Sequence, residues 1–103
     1  MNKTRGALPP SILRCLWSYD AASLDVHQDR AFIITQVLNY GNWTDLQWLY
    51  RTYPERAIKH VVAHPKRGLW LKPVLNFWCL MLKTRLPKRV RDRAIFRLEP
   101  PFL

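Results

Sequence analysis

Ten residues, Pro73-Val74-Leu75-Asn76-Phe77-Trp78-Cys79-Leu80-Met81-Leu82, constrain this chain more than any other stretch, because Asn76 alone among them is polar. Val74, Phe77, Trp78, Met81 and Leu82 fall at i, i+3, i+4, i+7 and i+8, which is one face of an α-helix. Leu75, Cys79 and Leu80 add apolar groups on the other sides, so such a helix has to be covered on most of its surface. Pro73 suits a first helical position, where its missing N–H would have had no intrahelical partner. A membrane span needs about 20 apolar residues, and Lys72 and Lys83 bracket only ten. The run is therefore expected to be the buried central helix of a small soluble domain, with Phe77 and Trp78 facing inward.

A chain of 103 residues has room for one domain with a modest core. Five Trp, four Tyr and four Phe in a chain that is 49% hydrophobic are not the composition of a disordered protein. The net charge of +10 is unevenly spread: residues 1–19 sum to +3, residues 20–55 to −3 and residues 56–103 to +10. That split points to an acidic partner surface or nucleic acid for the C-terminal half, or else to a solvated basic face that keeps the protein dissolved. Cys15 and Cys79 have no C-x-x-C spacing, which argues against a disulfide scaffold and for a reduced, cytoplasmic setting. Pro9-Pro10 and Arg14 interrupt any apolar run near the start, so no signal peptide is expected, and no membrane association either.

In chain order, residues 1–8 read as a basic lead-in, residues 9–82 as a helical domain and residues 83–103 as a separate basic segment. Pro9-Pro10 open a short helix carrying Ile12, Leu13, Leu16 and Trp17, and residues 18–23 read as a turn. Asp25 suits an N-cap, with Gln28 returning the bond as a capping box. The helix beyond has Ile33, Val37 and Tyr40 on one stripe with Ile34 and Leu38 beside it, Gln28, Thr35 and Asn39 opposite, and Gly41 as a left-handed C-terminal residue. Thr44 and Gln47 offer a second cap, with Trp43 and Trp48 as its hydrophobic staple, ahead of Leu46, Leu49, Tyr50 and Tyr53. Pro54 breaks that helix, and a new one carries Ile58, Val61 and Val62 inward. No run alternates with period 2. The expected fold is all-α, a compact bundle of about five short helices around a buried central one, with a basic C-terminal tail.

Catalytic chemistry finds little footing. His60 and His64 have an i, i+4 ligand spacing, but Val61, Val62 and Ala63 between them leave no general base and no third ligand stands near. Asp20, Asp25 and Asp29 could be a carboxylate cluster, yet turn and cap roles explain each of them. Three glycines make no phosphate-cradling loop. The expectation is a protein without catalytic residues, metal, cofactor or small-molecule substrate.

The run Leu16-Trp17-Ser18-Tyr19-Asp20, then Leu24-Asp25, Ile33-Ile34, Val37-Leu38 and Gly41, with Trp48-Leu49, Tyr53, Ile58, Val61, Arg67, Leu69 and Phe77-Trp78, resembles a small bacterial helical family over residues 9–82. Members of that family are often encoded beside AbiEii-type nucleotidyltransferase toxins. The resemblance implies an antitoxin-side role and brings no catalytic residues with it. The segment Trp70-Leu71-Lys72-Pro73 departs from the family pattern, which places a Ser or Thr cap there.

Three readings follow. The first is a non-enzymatic antitoxin that neutralises its cognate nucleotidyltransferase by protein–protein contact through Arg89, Arg91, Arg93 and Arg97, with Ile95 as apolar anchor, since the arginine fork pairs bidentately with carboxylates. The second is a helix-turn-helix repressor spanning Thr44 to Val62, with Arg56, Lys59, Lys66, Arg67 and Lys88 reaching DNA, although the turn centres on Pro54 and lacks Gly. The third is a small basic subunit of a nucleoprotein assembly.

Overall fold

The computed structural model describes residues 8, 12, 14–16 and 24–96. The expected features at Pro9-Pro10, Leu13, Trp17, residues 18–23, Arg97 and Pro100-Pro101 lie outside the described residues. A 3-10 turn (Arg14–Leu16) precedes five α-helices: α1 (Arg30–Tyr40), α2 (Trp43–Thr52), α3 (Glu55–Ala63), α4 (Lys72–Met81) and α5 (Lys88–Ala94). Among the described residues there is no strand, and one isolated parallel bridge joins Trp70 to Ile95. The protein is an all-α bundle, and no described helix is long and apolar enough to cross a membrane.

A buried helix does hold the centre, but it is α1 and not the apolar run of residues 73–82. Ile33 to Leu38 are buried without a break, and α1 packs against the 3-10 turn, α2, α3 and α4. The side opposite its apolar stripe carries polar groups, and hydrogen bonding lets them go inward. Thr35 Oγ1 donates to the Ala31 carbonyl at 2.7 Å, and Gln36 Nε2 donates to the Cys15 carbonyl at 3.1 Å. Asn39 accepts from the Leu71 N–H at 3.0 Å and donates to the Leu69 carbonyl at 3.2 Å, tying down the strap that leads into α4. Satisfied in this way, a buried amide costs little.

Both ends of α1 differ in detail from the sequence reading. Asp25 Oδ2 accepts from the Gln28 N–H at 2.7 Å, but this bond closes the turn before α1, whose N-cap is Asp29 without a side-chain cap bond. The return bond runs from the Asp25 N–H to Asp29 Oδ2 at 2.8 Å, so Asp29 takes the role expected of Gln28. At the other end Gly41 is extended (φ −78°, ψ 159°), not left-handed. Its glycine is needed for space: a Cβ would sit 2.8 Å from the Val37 carbonyl oxygen and 2.9 Å from Asp45 Cβ. Gly41→Ala is accordingly expected to cost about 2 kcal/mol through overpacking. Thermal unfolding checks this, and an unchanged midpoint would mean that α2 shifts aside freely.

The start of α2 is set by Asn42, not Thr44. Asn42 Oδ1 accepts the Asp45 N–H at 2.9 Å and Asp45 Oδ2 accepts the Asn42 N–H at 3.0 Å, a reciprocal capping box. Moving the cap two residues earlier dissolves the expected staple and leaves Trp43 exposed. Trp48 instead meets Tyr53 edge-on, with ring centroids 6.1 Å apart. The Tyr53 hydroxyl donates to the Val26 carbonyl at 2.7 Å, and burial raises its pKa well above that of a free tyrosine. After Pro54, α3 buries Ile58, Val61 and Val62 as its spacing requires.

The largest revision concerns α4. Its inward face is Leu75, Trp78 and Cys79, continued by the buried Leu82. Phe77, Leu80 and Met81 are 50%, 76% and 55% exposed. Trp78 and Leu82 belong to both possible stripes, so the choice amounts to a rotation of roughly one residue. With α1 and α3 both packed on one side of α4, only that narrower stripe is covered.

Residues 83–96 are part of the same fold and not a separate segment. The Gly68 N–H donates to the Arg93 carbonyl (2.9 Å), the Trp70 N–H to the Ala94 carbonyl (2.9 Å) and the Phe96 N–H to the Trp70 carbonyl (2.7 Å). Ala94, Ile95 and Trp70 are buried together in the core.

Candidate functional site

The turn at residues 67–68 needs its glycine, since Gly68 has φ +72° and a β-carbon there would be strained. It delivers the chain to Trp70, whose pairing with residues 94–96 fixes α5 in place. Because Ala94 and Ile95 point inward, the rotation of α5 is determined. Arg89 and Arg93, four residues apart, share one side with Lys88, while Arg91 faces the other.

The result is an open groove of about 910 Å³ between the 67–68 turn and α5. Arg67, Lys88, Arg89 and Arg93 line it against a single carboxylate, Asp92, and the ring of Phe96 is exposed at its wall. Lys88 pairs with Asp92 at 3.7 Å across one helical turn, and both side chains are well exposed. Such a surface pair contributes little stability and is easily exchanged for a stronger anion. Four cations around one concavity raise the local concentration of anions, and an exposed aromatic ring adds a flat apolar contact. The groove offers electrostatic grip, and its lining residues include no Cys, Ser or His.

Of the residues expected to contact a partner, Arg89 and Arg93 come together in this groove, joined by Arg67 and Lys88 from the nucleic-acid set. Arg91 is half-buried and donates to Asn76 Oδ1 across to α4. Ile95 also lines the groove, but the bridge to Trp70 turns most of it into the core and leaves it only 9% exposed. Arg97 lies outside the described residues. Arg56 and Lys59 are exposed on α3 but line a different hollow beside Met81 and Lys83, and Lys66 is exposed in the loop before the groove.

Sequence reasoning missed Phe96, whose outward position follows once Ala94 and Ile95 are known to face Trp70. It also missed Lys83 and Arg85, which share a hollow with Arg91, and it treated Asp45 only as part of a charge sum. Asp45 is in fact fully buried, accepting from Arg14 at 3.3 Å and facing Cys15 Sγ at 3.9 Å. Burial first, and then Asp45, push the Cys15 thiol pKa up, and burial does the same for Cys79. Both thiols are free and buried, so neither is activated as a nucleophile. His60 and His64 stack with centroids 4.3 Å apart, and among the described residues no group of three His, Cys, Asp or Glu could hold a metal ion.

Residues 13–62 match the model of a family of unknown function (DUF6922). No curated protein and no solved structure matches the chain. The family match spans the helical core from the 3-10 turn into α3 and stops short of the groove, so this likeness concerns the scaffold.

Proposed function

We propose that the protein is a non-enzymatic binding module of the antitoxin kind, whose cationic groove engages an acidic face of a nucleotidyltransferase toxin. The observation that carries this reading is the convergence of Arg67, Lys88, Arg89 and Arg93 on one groove against one carboxylate. An enzyme that holds metal ions for nucleotidyl transfer displays clustered carboxylates, and arginine forks pair with these in two places at once. Phe96 adds an exposed apolar ring beside the small accessible part of Ile95, among the groove's cations. The choice of partner follows what the resemblance of residues 9–82 implies.

The test is size-exclusion chromatography and calorimetry with the nucleotidyltransferase encoded by the adjacent gene. A stoichiometric complex is expected, and Arg89→Glu with Arg93→Glu should weaken it at least 100-fold, about 3 kcal/mol. Absence of a complex, or equal binding by the double variant, would end this reading.

A second reading, nucleic-acid binding, is favoured by the pairing of the same cations with an exposed ring on which a base can stack. Arg56 and Lys59 stand apart from the groove, so this mode would grip phosphates more than read bases. Binding to duplex and single-stranded DNA should then fall steeply with salt and show no operator preference. A preferred operator sequence would instead revive the helix-turn-helix of α2 and α3.

A further inference from the structure

We propose that the outward edge of α4, formed by Phe77, Leu80 and Met81, docks an acidic amphipathic helix of a partner protein. These three side chains stand at i, i+3 and i+4, so they make one ridge along the helix axis, and each is at least half exposed. Exposed apolar groups scattered singly need no explanation, but a contiguous ridge does. The ridge continues into an aromatic cluster: Phe77 meets Trp78 edge-on at 5.2 Å, and Tyr50 lies 6.5 Å from Trp78.

The charges around the ridge identify the occupant. On one side Leu80 borders a hollow of about 500 Å³ with Lys83, Arg85 and Arg91. On the other, Met81 borders a hollow of about 400 Å³ with Arg56, Lys59 and Lys83, where Glu55 is the one carboxylate. An apolar stripe with cations along both flanks complements a helix whose apolar stripe is flanked by Glu or Asp. A second copy of this chain would set cations against cations, which is costly. A ridge between two hollows also suits the ridges-into-grooves packing of another helix, whereas a flat bilayer would leave both hollows unfilled.

Lys83 supplies independent support. It is the one described non-glycine residue with positive φ (53°), where glycine is the lower-energy choice. It sits at the left-handed position of a Schellman ending, with the Thr84 N–H on the Cys79 carbonyl at 2.8 Å and the Lys83 N–H on the Leu80 carbonyl at 3.3 Å. A lysine held there against backbone preference lines both hollows.

This surface is separate from the groove, which lies across α5, so the two readings can fail independently. The test uses the full chain and a fluorescein-labelled 18-residue designed helix with Leu at i, i+3, i+4 and i+7 flanked by Glu, read by fluorescence anisotropy. A control peptide has Lys in place of each Glu. The Glu-flanked peptide is expected to bind at least tenfold more tightly than the control. Leu80→Ser with Met81→Ser, both on exposed positions, should weaken it at least tenfold while circular dichroism and the unfolding midpoint stay unchanged. Lys83→Gly should fold at least as stably and still bind severalfold more weakly. Arg89→Glu with Arg93→Glu should leave the affinity within twofold. The proposal is overturned if the two peptides bind alike, if the serine variant binds as well as the parent, or if affinity follows Arg89 and Arg93. It is equally overturned if the ridge proves to be occupied otherwise: by a dimer that dissociates in the serine variant, or by phosphatidylserine vesicles that sediment the parent and not the variant.

Discussion

Trp70→Ala is expected to remove about 4 kcal/mol of stability and to lower the unfolding midpoint by roughly 15–20 °C for a domain of this size. Trp70 is fully buried, and its backbone holds the last element in place through the Ala94 carbonyl and the Phe96 N–H. Its indole Nε1 has no hydrogen-bond partner among the described residues. The side chain therefore stabilises by packing alone, against the cost of a buried donor left unpaired. Trp70→Phe should for that reason lose no more than about 1.5 kcal/mol, because it sheds the unpaired N–H with the lost area. Urea unfolding of the two variants separates these effects, and equal losses would mean that the indole nitrogen is bonded after all. In Trp70→Ala, hydrogen exchange at the Gly68, Trp70 and Phe96 amides should also accelerate before global unfolding, since those three bonds hold α5 to the body.

The second large effect is expected at Asp45. Asp45→Ala should cost about 2 kcal/mol, because it loses the charge-assisted return bond of the capping box from the Asn42 N–H together with the contact to Arg14, while the Asn42 side chain still caps the backbone N–H at position 45. Its partner Arg14 is 56% exposed, so Arg14→Ala alone should cost well under 1 kcal/mol. Opposing this, Asp45 Oδ1 is buried without a partner among the described residues, and a buried carboxyl group is expensive to desolvate. Asp45→Asn keeps an acceptor for the cap and removes the charge, so it should lose about half as much as alanine. A neutral or stabilised asparagine variant would show that burying the charge costs more than its bonds return.

How far the fold could be read in advance depended on how locally each feature is determined. The break at Pro54 and the inward triplet Ile58, Val61 and Val62 were legible because proline geometry and helical period act within a few residues. The α2 start was misread because Asn42 and Thr44 are both good caps, and only the burial of Asp45 decides between them. For α4, a run apolar on nearly every side carries no information about which side is covered. Phe77 and Leu75 are equivalent candidates until α1 and α3 take their places. Ile95 was mistaken for a surface anchor because its partner Trp70 lies 25 residues earlier and nothing local reveals the bridge. The groove suffered in the same way: the basic residues were visible, but their sorting into Arg89 and Arg93 on one side and Arg91 on the other depends on that bridge.

The bridge also bears on synthesis. Ala94 and Ile95 reach Trp70 from about 25 residues further along the chain, so a ribosome that stalls after Leu82 would release a molecule with an uncovered tryptophan. Such a fragment would be a natural target for chaperones and proteases. A copy that displays the cationic groove has therefore already closed Ala94 and Ile95 over Trp70, and one that has not lacks the α5 side of the groove with which to seize an anion.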